Sequence, residues 1–140
     1  MKLTRDSIFF SLLLVAGIAS SALAQGGGRA GRLYDPSTET TLKGTVEKVS
    51  RVAGYHGWSG THLALRTEDR TYDVHVGPSE YLSKIGLNFS TGDQIEVTGS
   101  KVKLDGADAL IARETKKQGK VFTLRDSQGF PRWSGGRRGN

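Results

Sequence analysis

Two runs of alternating residues, Thr61 to Thr67 and Arg70 to Val76, flank the dipeptide Glu68-Asp69. Leu63 and Leu65 fall on one face of the first run, and Tyr72, Val74 and Val76 on one face of the second. Period-two alternation is the mark of a half-buried strand, and two such runs around a two-residue charged turn predict an antiparallel hairpin. Thr67 then faces Arg70, so facing residue numbers sum to 137. Leu63 meets Val74, Leu65 meets Tyr72, and on the opposite, outward face His62 meets His75. A slip of one residue would turn one strand's apolar set to solvent, so the two apolar faces fix the register.

The rest of the chain supplies the remaining strands. Glu39 to Val52 is rich in β-branched residues with an interior Gly44, which suits a long strand that bends or bulges. Pro78 to Phe89 changes period: Tyr81, Leu82 and Ile85 recur at helical spacing before Gly86, predicting one short helix. Ile95 and Val97 open a further strand that bends at Gly99 and runs through Leu104. Two more segments follow, Ala107 to Gly119 and Lys120 to Gly129, separated by a glycine turn. The expected core is Leu63, Leu65, Tyr72, Val74, Val76, Ile95, Val97, Leu110 and Leu124.

This order, with a helix between the third and fourth strands, is that of a small OB-like Greek-key barrel of five to six strands, an all-β fold. The stretches KGTVEKV at 43–49 and GDQIEVTGSKV at 92–102 are similar to those of small exported bacterial OB-fold proteins, the periplasmic BOF-like group. The resemblance implies a binding or structural module in the periplasm, without naming a ligand.

The ends of the chain set its expected organisation. Lys2 and Arg5 precede an apolar run from Ile8 to Ile18, and Ala22-Leu23-Ala24 provides an A-x-A cleavage site, so residues 1–24 are expected to be a signal peptide. A flexible glycine-rich leader is expected at 25–39, the barrel at 40–133 and a disordered basic tail at 134–140. The product would be periplasmic or secreted, with no transmembrane segment after cleavage. The chain has no cysteine, so neither a disulfide nor thiol chemistry is available to an exported fold, which must be held by its core.

Charge argues against a nucleic-acid groove. The formal net charge of the chain is +6, but Thr40 to Phe130 holds 13 basic and 11 acidic residues, and Arg132, Arg137 and Arg138 sit in the last nine. A groove for nucleic acid would concentrate charge on the folded body. No G-x-S-x-G or H-E-x-x-H motif is present, and no nucleophile, base and orienting group can be placed together, so a non-enzyme is expected.

What remains is a binding surface on the outward face of the hairpin and the loop from Gly54 to Gly60. Tyr55, Trp58 and the basic Arg66 are candidates for contact with a protein or anionic polymer of the cell envelope, or with single-stranded nucleic acid. Facing residues on one side of a sheet have Cβ atoms roughly 4.5–5.5 Å apart, close enough for His62 and His75 to share one metal ion. Asp73 lies on the same face and His56 in the preceding loop, so His56, His62, Asp73 and His75 form a candidate site for zinc or copper. The alternative is structural: the two imidazoles stack, pair with Asp73, or sit beneath the loop.

Overall fold

The computed structural model describes residues 33–53, 59–104 and 106–134. Among the described residues the strands are β1 (Glu39–Ala53), β2 (Ser59–Arg66), β3 (Thr71–Pro78), β4 (Gln94–Leu104), β5 (Ala107–Lys117) and β6 (Lys120–Thr123), with one α-helix, α1 (Ser79–Lys84), between β3 and β4. They hydrogen-bond in the order β3-β2-β1-β4-β5-β6, and a parallel pairing of β3 with β5 closes the first five into a barrel. That is the OB-fold arrangement. Among the described residues no helix is long and apolar enough to cross a membrane.

The long β1 serves two neighbours in turn. Glu39 to Thr45 pair with β4, and Thr45 to Ala53 pair with β2. At the changeover the backbone of Val46 is held by the turn before β4: its N–H donates to the Asp93 carbonyl at 2.8 Å, and Gly92 N–H donates to its carbonyl at 2.7 Å. The irregularity of β1 therefore falls between Val46 and Lys48, leaving Glu47 as the extra residue, and not at Gly44. Gly99 does mark a bulge, in the β4–β5 ladder, where a Cβ would collide with the Ile111 carbonyl.

The inward faces meet in a single core. All nine residues expected there are buried, with Val46, Leu82, Leu87 and Ala112 added. Helix α1 plugs one end: Leu82 is buried, and Tyr81 and Ile85 pack against the cluster. It starts after Pro78, which is the last residue of β3 rather than the first of the helix. A buried bond between Thr61 and Ser79 hydroxyls, 2.8 Å, ties it to β2.

Both ends of the described chain pack more tightly than their composition suggests. Tyr34 is buried, its hydroxyl bonded at 2.9 Å to Glu39 Oε1, which also accepts from Arg113 Nε, and Asp35 caps a short 3-10 turn, Pro36–Thr38. The packed body thus begins before the expected boundary at Thr40, because an aromatic ring in an otherwise polar segment finds a seat against Gly129. Strand β6 stops at Thr123, short of Gly129, where Leu124 and Arg125 turn inward and Asp126 holds a tight loop through Gln128 and Phe130 N–H. Trp133 returns over the barrel end, its ring 5.5 Å from that of Tyr81 and 4.7 Å from the buried Arg125 guanidinium. Burial pushes the Arg125 pKa down to about 10. The expected signal peptide, the loop residues 54–58 and the tail from 135 lie outside the described residues.

Candidate metal centre

The hairpin forms in the expected register. His62 pairs with His75, Leu63 with Val74, Ala64 with Asp73, Leu65 with Tyr72 and Arg66 with Thr71. Thr67 N–H donates to the Arg70 carbonyl at 2.9 Å across Glu68-Asp69, and the Thr67 hydroxyl donates to Asp69 at 2.6 Å. Beyond His62 the register shifts by one, since Thr61 pairs with Gly77 and leaves Val76 over. The irregularity sits beside the histidine pair, a place where bulges commonly re-aim side chains.

Alternation sends His62, Asp73 and His75 to the outward face, where they form one cluster. The two imidazole centroids are 3.9 Å apart with planes tilted by 46°. Asp73 Oδ2 lies 3.0 Å from His75 Nε2, and Asp73 Oδ1 lies 3.7 Å from His62 Nδ1. One donor atom from each residue can be chosen so that all three lie within 4.8 Å of one another. The imidazoles are about four-fifths buried, with side-chain exposures of 23% and 19%, whereas the Asp73 side chain is 53% exposed and marks the solvent side.

Electrostatics disfavour a proton on His62. Burial holds the His62 pKa below its ordinary value, the neighbouring His75 adds to this, and the Asp73 carboxylate opposes both. A neutral imidazole keeps the lone pair that a metal needs. Two imidazole nitrogens and one carboxylate make a donor set suited to zinc, copper and ferrous iron, and three protein donors leave coordination positions open.

The other expected site residues stand apart. Arg66 is exposed on the same face, but its guanidinium pairs with Glu47 at 3.3 Å rather than joining the cluster. His56, Tyr55 and Trp58 fall outside the described residues. Tyr72 lies in the core, as expected, and Tyr81 packs against it. Two neighbours on β1 escaped sequence reasoning: Ser50 stands opposite His62, and Lys48 opposite Ala64. Their placement depends on the bulge at Glu47, which simple alternation along β1 does not reveal.

Residues 38–122, which span β1 to β6 and all three cluster residues, match the MamS/MamX magnetosome protein family. The chain belongs to the MamS/MamX family. No curated protein matches this MamS/MamX chain in sequence. Solved structures that it resembles include the N-terminal domain of PriB from Thermoanaerobacter tencongensis, 16% identical with a TM-score of 0.48 over 58% of this chain and 96% of that one. The S. pombe Stn1-Ten1 complex is 15% identical with a TM-score of 0.43, and the MamS/MamX chain spans 59% of the matched chain and is itself covered over 59%. The S. cerevisiae mitochondrial single-stranded DNA binding protein Rim1 is 10% identical with a TM-score of 0.39, over 64% of this chain and 96% of that one. At these identities the likeness concerns the barrel, and the reading of the site rests on the residues of the MamS/MamX chain itself.

Proposed function

We propose that this MamS/MamX protein is an exported, non-catalytic binding module of the cell envelope that holds one divalent first-row transition ion on the outward face of β2 and β3. His62, Asp73 and His75 are its ligands. The observation that carries the reading is the convergence of three donor atoms of the right chemistry within 4.8 Å of one another. Their approach is built into the backbone, because the ladder pairs His62 with His75 and places Asp73 two residues from His75 on the same face, opposite Ala64. In the metal-free site His75 Nε2 hydrogen-bonds Asp73 Oδ2 at 3.0 Å, so an ion held by Nε2 would take the place of that bond, with the ring N–H on Nδ1. A polymer-binding or nucleic-acid reading would draw on Tyr55, Trp58 and Arg66, of which Arg66 already has a carboxylate partner.

Titration calorimetry with zinc, copper and ferrous salts tests this reading on the wild-type chain and on Asp73→Asn, His62→Ala and His75→Ala. One ion per chain in the wild type, with affinity lost in either histidine variant and lowered in the aspartate variant, is the expected result. Equal heats in all four proteins would refute it.

A further inference from the structure

We infer that the metal at this site takes an exogenous oxyanion, a carboxylate or a phosphate, as a further ligand, and that Lys48 steers it. This rests on the metal reading above. Three features of the face lead to it.

First, the charge is uncompensated. A divalent ion with one carboxylate and two neutral imidazoles carries a net charge of +1, and an anion in an open position cancels it. Second, the open side is defined. Towards β5 the cluster is walled by apolar backbone neighbours, with Asp73 beside Ala109 and His75 beside Ile111, both buried. Towards β1 the row reads Lys48, Ala64, Asp73, and the adjacent row Ser50, His62, His75. Third, that row has room. Ala64 places only a methyl group between Lys48 and Asp73, across two strand spacings of about 4.8 Å each. Lys48 is exposed, and among the described residues it makes no ion pair. A metal-bound oxyanion lying over Ala64 therefore meets an ammonium on its far side and the Ser50 hydroxyl beside it, while apolar surface closes the other flank.

The test uses the full chain loaded with Co²⁺, whose visible absorption reports coordination. Sodium phosphate and sodium acetate are titrated separately, against sodium perchlorate at matched ionic strength. The expected result is a saturable change in the Co²⁺ band with phosphate, acetate or both, the stronger response naming the class, and no saturable change with perchlorate. Lys48→Ala should leave Co²⁺ affinity unchanged and weaken the anion about two- to fivefold, the range of an exposed charge pair. A Co²⁺ band that forms but does not respond to either anion overturns the inference and leaves the metal reading standing. An anion response of equal affinity in Lys48→Ala overturns the role of Lys48. If no Co²⁺ band forms at all, the metal reading fails, and this inference with it.

Discussion

His62 and His75 face each other across β2 and β3 with ring centroids 3.9 Å apart, and a single carboxylate reaches towards both. A proton on His75 opposes one on His62 at this separation. The energetics of this face follow from that fact.

The metal-free protein should lose stability as the pH falls through the histidine range. The His62 pKa is held below its unfolded value, so between the two values the unfolded chain binds more protons. Stability is then full above the unfolded pKa of about 6.5, declines as the pH drops through the lower folded value, and levels off below it, where both states bind the proton. Urea titrations between pH 7.5 and 5 should show a steeper loss for wild type than for His62→Gln. Parallel curves would contradict the assignment.

The core carries the register. Leu63 is 1% exposed and paired with Val74, which is fully buried, inside a cluster that spans the barrel. Leu63→Ala should cost about 2–4 kcal/mol in denaturant titrations. A change of a few tenths would mean that this face does not bear on the core.

The returning C-terminal segment depends on a missing side chain. Gly77 has a φ of 155°, and a Cβ there would stand 3.0 Å from the Trp133 ring. Gly77→Ala should therefore displace the indole and lower stability by about 1–3 kcal/mol, with a red shift of tryptophan emission as the ring meets water. In a Trp133→Phe background the same substitution should cost less, because the smaller ring leaves the methyl group room. Equal costs in both backgrounds would separate Gly77 from Trp133.

How much of this was legible in the sequence varies by segment for physical reasons. The hairpin was readable because its alternation and its two-residue turn constrain the same pairing from two sides, and the site followed from the pairing. Helix α1 announced itself by a change of period at Tyr81 and Leu82. The β1 neighbours Ser50 and Lys48 were hidden, because the bulge at Glu47 is imposed by bonds from Val46 to Gly92 and Asp93, distant in sequence. Tyr34 was hidden for a similar reason, since its partner surface at Gly129 lies at the other end of the domain. The close approach of the two imidazoles and the pairing of His75 with Asp73 are the structural alternative that the sequence offered, and both are present, with centroids 3.9 Å apart and a 3.0 Å bond.

The most direct test is the melting temperature of the protein with and without Zn²⁺ at pH 7.5, for wild type and for the His62→Ala, His75→Ala double variant. An ion that binds only the folded state stabilises it by about 2.7 kcal/mol at a free concentration one hundred times Kd. For a domain of this size that raises the Tm by roughly 10 °C or more. The wild type should show this rise and the double variant should not. Melting curves that respond alike to Zn²⁺ in the two proteins would contradict the metal centre at its root.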